Sequence, residues 1–275
     1  MDFIGVKGVF GLGTRRFTSP PPAPPVPYHA DAIALFARMT TPPSDVRKWQ
    51  ISQLIKALDT AGVWSKLKVF HVFALHDEQS ALLNWKADAH NLLKFGTPTF
   101  VADRGFTPGA VVGNYLRGDF NPTVHGGYNL GDAHLGTFSN TAIGGNARDV
   151  NFGGGSVPDG ISNAATGISG VAAIGAAGVN PAIYNTGPSH FVASRLNGSD
   201  MRVYRNGTEV ASQVTSPTLV LPNTTLMVGA TTSASTPTTR QIGVVHAGSY
   251  LTPTQISATN TAIRTFLQAC GVPGV

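Results

Sequence analysis

Only two glutamates, Glu78 and Glu209, occur in these 275 residues, and they lie far apart in the chain. Hydrolysis of a glycosidic bond needs two carboxyl groups flanking that bond, which on a sandwich glucanase come at short alternating spacing along one strand. No acidic pair alternates in that way here. Asp200 and Glu209 flank a hairpin segment, where turn and edge solvation accounts for both. The eight histidines form no His-x-His or His-Glu-x-x-His pattern, so zinc lacks its usual ligand spacing. His71 and His246 sit in apolar runs and read as hydrogen-bonded interior side chains. Gly154-Gly-Ser-Val-Pro158 lacks the closing glycine of a serine-nucleophile turn, and the glycine-rich tracts lack the lysine and hydroxyl of a phosphate loop. Asp119 and Asn121, in Asp119-Phe-Asn-Pro122, carry oxygens that suit calcium, while a turn whose Asp and Asn bond their own backbone accounts for the same residues. No catalytic residue, metal or cofactor is expected, and the chain reads as non-enzymatic.

Binding without catalysis asks for less. Aromatic faces and planar amides in loops can hold a sugar, which makes Tyr128, Asn129, Asn140, Asn146 and Tyr184 the carbohydrate-contact candidates; ordinary turn polarity explains the same residues. The net charge of +5 comes from scattered basic residues with no run or aromatic-interleaved patch, so nucleic acid is not an expected partner. No apolar run approaches the roughly 20 residues that span a bilayer, and membrane insertion is not expected. Asp2 and the glycines at 5, 8, 11 and 13 interrupt what would be a signal peptide. The single cysteine, Cys270, excludes an intrachain disulfide and suits a small buried hydrophobe beside Phe266 and Leu267.

The elements that must position any site fall into three stretches. Residues 1–27 place Phe3, Val9, Phe10, Leu12 and Phe17, with Arg15 and Arg16, among glycines, followed by the proline-rich run 19–27. This is an extended arm on a polyproline spacer of about 3 Å per residue, suited to anchoring. Residues 28–96 read as a helical segment. A helix is expected over 31–39 and another over 44–58, capped by Ser44 or Asp45, with Val46, Trp49, Leu54, Ile55 and Leu58 on one apolar face. An apolar segment over 67–75 and a short helix over 76–85 follow. From about residue 97 to 275 the texture changes to short alternating segments between glycine-rich turns, the pattern of a sandwich. Asn197-Gly and Asn206-Gly, nine residues apart, tolerate the positive φ of tight hairpins and mark a three-stranded meander. Other strands are expected at 99–102, 114–117, 133–139, 218–221, 225–229 and 241–247, with 153–155 and 167–178 as loops or weak edge strands. The last element is a helix from Thr252 to Gly271, capped by Thr252, with Pro253 in its first turn.

The carboxyl half resembles the concanavalin A-like lectin and glucanase sandwiches, including laminin-G-type domains, through Met201-Arg-Val-Tyr-Arg-Asn-Gly-Thr-Glu-Val-Ala211 and the closing strand and helix 243–271. The order of Asp77-Glu-Gln-Ser-Ala-Leu-Leu-Asn-Trp-Lys86, Phe100-Val-Ala-Asp-Arg-Gly-Phe106, Tyr115-Leu-Arg-Gly-Asp-Phe-Asn-Pro122 and the terminal Leu-Thr-Pro helix is similar to a group of phage and prophage virion proteins, over roughly residues 29–271. The resemblance implies a mainly β, two-sheet antiparallel jelly-roll sandwich with a preceding helical segment, a C-terminal helix and an N-terminal arm. It also implies a tail-fibre, spike or capsid-attached protein, assembled in the bacterial cytoplasm and exposed on the particle. Its partners would be other virion proteins, reached through the arm, further copies of itself and a host-surface glycan. Two other readings stay open: a carbohydrate-active enzyme whose acids come from separate strands, and a free lectin.

Overall fold

A computed structural model describes residues 27–141, 148–152, 159–162, 171–174, 177–179, 187–197, 199–213, 221–230 and 237–275. Two helices open the described chain, α1 (Ala30–Phe36) and α2 (Asp45–Thr60). Ser44 caps α2, its side chain accepting from the Arg47 amide. Strand β1 (Leu67–Val72) follows, then α3 (Glu78–Leu82), β2 (Leu93–Phe95), β3 (Thr99–Val101), β4 (Gly105–Thr107) and β5 (Tyr115–Arg117). The short α4 (Pro122–His125) precedes β6 (Ala133–Ser139), β7 (Arg148–Phe152), β8 (Asp159–Ser162), β9 (Val171–Ile174) and β10 (Ala177–Val179). The meander is β11 (Ser189–Asn197), β12 (Asp200–Arg205) and β13 (Thr208–Gln213); β14 (Leu226–Val228), β15 (Ile242–Gly248) and α5 (Pro253–Ala269) complete the chain.

Among the described residues these strands make two antiparallel sheets. The larger runs β13-β12-β11-β6-β15-β4-β3, with β1 also against β15; the smaller runs β10-β9-β8-β7-β14-β5-β2. The stretch 28–96 therefore gives a strand to each sheet as well as its helices. Of the 67–75 run, read above as an apolar segment, Leu67–Val72 is a strand that lies along β15 with Phe70 opposite His246.

The pairing register decides what each face meets. Phe70, His246, Gly136, Val192 and Tyr204 lie in one row across five strands and so share one face. That face is covered by helix: Arg264 of α5 lies over the Phe138 ring, and an edge-to-face series Trp64, Phe70, Trp85, Phe266 joins β1 to α5 with centroid separations of 5.6–5.9 Å. Each such pair contributes about 0.5–1.5 kcal/mol beyond its buried area. The other face meets the smaller sheet, where Ser139 Oγ donates to Asp149 Oδ2 at 2.9 Å. The result is three layers in the order helices, larger sheet, smaller sheet.

Local signals explain the joints. Asn206 and Gly207 have φ of 51° and 84°, as a two-residue hairpin requires. The Asn206 side-chain oxygen also accepts from the His190 amide and from Arg264, tying the turn to β11 and α5. Helix α5 opens with a capping box between Thr252 and Gln255 and has Pro253 in its first turn. In α2 the buried side is Ile51, Ser52, Leu54, Ile55 and Leu58. Val46 and Trp49, expected on that apolar face, are instead 68% and 48% exposed, because they lie round the helix from the sheet-facing side.

Gly136 is required by its neighbour. A β-carbon there would overlap the His246 ring, which lies in the space a side chain at 136 would fill. Gly136→Ala is expected to destabilise the fold by about 2–3 kcal/mol, the scale of an overpacked core, read as a lowered midpoint in urea. Combining it with His246→Ala should cost less than the sum of the two single changes; strict additivity would refute the steric account.

Candidate functional site

Titratable side chains converge inside the helix-facing half of the molecule. His134 Nε2 lies 3.0 Å from His246 Nδ1, and His246 Nε2 lies 2.9 Å from His190 Nε2. His134 Nδ1 donates to the Ser249 carbonyl. That carbonyl can only accept, so the hydrogens follow in order: His134 Nε2 accepts from His246 Nδ1, and His246 Nε2 accepts from His190 Nε2. His190 Nδ1 is left with a lone pair and no partner among the described residues. All three rings are buried, and burial is the first cause holding each neutral. The pKa falls to about 4 for His134 and about 3 for His190, and His246 lies well below its ordinary value. His71, on the neighbouring strand, is likewise pushed down to about 3 and bonds the Leu83 carbonyl through Nδ1. The three rings are enclosed, and their nitrogens bond one another in series rather than facing a common centre. It is a structural device. Cys270 is similarly buried, its thiol pushed up to about 11 by burial beside the Arg47 guanidinium.

The residues singled out from sequence do not gather at one place. Tyr128 is buried, its ring 5.0 Å from Phe152, so it belongs to the core and has no face to offer a sugar. Asn140 is buried too, its amide donating to the Arg104 carbonyl across the strand ends. Asn129 is exposed and bridges to Asp132. Asn146 and Tyr184 lie outside the described residues, as do Phe3, Val9, Phe10, Leu12, Arg15, Arg16 and Phe17 of the arm. Of the calcium candidates, Asn121 caps α4 and bonds Asn223, while Asp119 receives His90 at 2.8 Å. Their oxygens serve different neighbours and do not converge. Among the described residues no group of three or more His, Cys, Asp or Glu side chains could hold a metal ion. Asp200 and Glu209 both bind Arg202, at 2.8 and 3.0 Å, and Glu78 pairs with Lys94; ion pairing, rather than solvation alone, occupies these acids.

Asp119 nevertheless marks a site. It stands at the rim of an open depression of about 690 Å³ on the smaller sheet, lined by Ala89, His90, Asn91, Leu93, Phe95, Arg117, Gly118, Asp119 and Thr225. Strands β2 and β5 build it. Their register sets Leu93 opposite Arg117 and Phe95 opposite Tyr115, and the intervening Leu116 is buried, so these four point away from the core. Phe95 and Tyr115 stack with centroids 4.8 Å apart and planes 8° from parallel. The Arg117 guanidinium lies 4.5 Å over Phe95. His90 has φ of +61°, a conformation few residues other than glycine adopt, and that backbone turn sets its ring against Phe120, His125 and Asp119. The depression thus offers an exposed leucine, the Phe95 side chain held by the Tyr115 ring beside it, a guanidinium and an oriented carboxylate. Sequence reasoning missed all but Asp119. The alternation Tyr115-Leu-Arg117 was visible, but its partner Leu93-Lys-Phe95 is three residues long and carries no strand signal.

The chain matches no protein-family model and no curated protein sequence. Its fold recurs among solved structures. It is similar to domain 4 of AbnA, a GH43 extracellular arabinanase from Geobacillus stearothermophilus, solved in complex with arabinotriose, with a TM-score of 0.52 and 14% identity over 70% of this chain and 98% of that one. The Botulinum neurotoxin serotype D ligand binding domain in complex with N-acetylneuraminic acid gives 0.54 and 11% over 74% of this chain and 52% of that one. Trypanosoma rangeli sialidase in complex with sialic acid gives 0.54 and 14% over 80% and 40%. The chain thus spans nearly all of the arabinanase domain and about half or less of the other two. At such identities the likeness shows the fold: a lectin-like sandwich of two antiparallel sheets with N-terminal helices and a C-terminal helix.

The buried histidines make the fold pH dependent in one direction. Each is neutral when folded, with pKa near 3 or 4, and takes up a proton near 6.5 once unfolded. Stability is therefore complete above about pH 6.5 and falls as pH drops through that value towards 3, by about 1.4 kcal/mol per pH unit for each histidine protonated on unfolding. Urea midpoints measured at pH 7.5, 5.5 and 4.5 should fall in that order; a flat profile would contradict the relay.

Proposed function

We propose that this chain is a non-catalytic glycan-binding module borne on a phage particle, with residues 1–27 as its attachment and the β2–β5 depression as its glycan site. The observation that carries the binding reading is the Tyr115, Phe95 and Arg117 stack beside Asp119 on an exposed sheet face. A pyranose ring presents an apolar C–H face and a rim of hydroxyls; the aromatic stack and Leu93 suit the first, and the guanidinium and carboxylate suit the second. Support at the level of fold comes from the arabinanase domain and the neurotoxin domain, which were solved with arabinotriose and N-acetylneuraminic acid.

The non-catalytic reading is supported by the acids. Glycoside hydrolysis needs a pair of carboxyls about 5–10 Å apart, and among the residues lining the depression Asp119 is the one carboxylate. The particle-borne reading is supported by the order of motifs between Asp77 and the closing helix, and by the apolar arm on its proline spacer.

Glycan-array screening of the full chain, followed by titration of the hits, tests the site. Arg117→Ala and Phe95→Ala should each weaken binding at least tenfold, about 1.4 kcal/mol, with unchanged thermal unfolding, and no reducing ends should appear in the bound polysaccharide. Undiminished binding by both variants moves the site elsewhere, and chain shortening lost in Asp119→Asn would make the protein an enzyme. Removing residues 1–18 should abolish incorporation into particles; normal incorporation would remove the arm from the account.

A further inference from the structure

The helical layer carries an apolar groove that the glycan site does not use. It lies between α2 and α5, has a volume of about 680 Å³ and is walled by Trp49, Gln53 and Ala57 on one side and Ala258, Thr261 and Thr265 on the other. No charged side chain lines it among the described residues. Trp49 is half exposed there, and Val46, one turn earlier on α2, is more exposed still. Small residues on both helices leave depth for aromatic or branched side chains, and a surface of this kind marks an interaction site.

The same chain holds a segment that matches it. Residues 1–18 place Phe3, Val9, Phe10, Leu12 and Phe17 among glycines, apolar side chains without enough neighbours in their own stretch to form a core. The described chain begins against α2: the His29 amide donates to Ser52 Oγ at 2.8 Å and the ring approaches Asp59. Residues 19–27 are proline-rich and span about 28 Å when extended, against a helix diameter of about 10–12 Å. That extended length exceeds the width of a helix, so its reach does not confine the arm to its own groove.

We propose that the α2–α5 groove receives residues 3–17 of a second copy of this chain. This rests on the reading of residues 1–18 as the attachment segment and names what that segment grips. Lys7, Arg15 and Arg16 stay at the rim, in water, because the groove holds no acid to pair with them. An arm from each copy in the groove of the other makes a closed, self-complementary pair.

Mass measurement of the full chain over a range of concentrations tests this, with a groove variant, Thr261→Arg, at an exposed position that tolerates a long side chain, and an arm variant, Phe10→Asp. The wild-type chain should self-associate, each variant alone should associate at least tenfold more weakly, and mixing the two should restore association in part, since one supplies an intact arm and the other an intact groove, which remakes one of the two contacts of the pair. Trp49 emission should shift to the blue on association; Trp64 and Trp85 are buried and stay constant. Should Thr261→Arg perturb the helix, Thr265→Arg gives a second reading. A wild-type chain monomeric at every concentration, association indifferent to both groove variants, or failure of the mixture would each overturn the inference. Loss of particle incorporation without residues 1–18, in a chain that stays monomeric, would leave the attachment reading standing and this one refuted. Trp49 shielded in a monomer would mean that the arm occupies its own groove, and would refute it equally.

Discussion

Strands β6 and β15 are buried along their whole length and on both faces, and this constraint governs the rest. A strand in an ordinary sandwich turns one face to a partner sheet and the other to solvent. Here helices cover the second face, so a polar atom on it that finds no partner inside costs free energy. His246 solves this for three residues together: its two ring nitrogens join His134 on one side to His190 on the other, and Ser249 closes the far end. The arrangement works only with all three rings neutral. A proton added to the interior of the line would set one N–H against another, and a proton at His190 Nδ1 would create a buried donor without an acceptor. Gly136 is the steric counterpart, since the central ring needs the volume of a missing side chain.

The face turned to the smaller sheet solves the same problem with charge. Arg240 and Asp149, both fully buried, meet at 2.6 Å, and Ser139 from the larger sheet donates to the same carboxylate oxygen. Desolvating both charges offsets much of their attraction, so the pair adds little net stability. It contributes alignment: a shift of β7 relative to β6 by one residue would separate the carboxylate from its partners and strand a charge in the interior. Histidines tie β6, β15 and β11 of the larger sheet to one another on its helix-facing side, and an ion pair fixes the larger sheet to the smaller one.

These facts show why some of the fold was legible in the sequence and some was not. The meander announced itself because Asn206-Gly207 needs two positive φ angles, and α5 because Thr252, Pro253 and Gln255 are local signals read within one turn. Strand β1 was not legible. A run buried on both faces loses its polar alternation and reads as any apolar segment. Strands β2 and β4 are too short to show a period at all. His71 and His246 could be recognised as interior residues from their apolar flanks, but the relay could not, because its members lie 112 and 56 residues apart. Tyr128 and Asn140 show the converse: residue type marks what a side chain can bind, and only the tertiary structure says whether it is reachable. The depression at Phe95, Tyr115 and Arg117 was hidden for both reasons, being built on a three-residue strand and assembled across some twenty residues of chain.

The order of the layers has a consequence for how the two surfaces work together. The α2–α5 groove belongs to the helical layer and the β2–β5 depression to the smaller sheet, with the larger sheet between them. A copy gripped through its helices is therefore held by one outer layer while the opposite outer layer stays free. If copies pair through their arms as proposed, one assembly carries two depressions, and two weak sugar contacts joined in that way gain affinity through effective concentration without any new contact in either site. If the depression takes a glycan as proposed, it needs that gain, since so open a surface encloses little of a ligand and leaves much of it in water. The stiffness of the central sheet, with its neutral relay on one face and its buried ion pair on the other, is what would keep the two surfaces at a fixed distance.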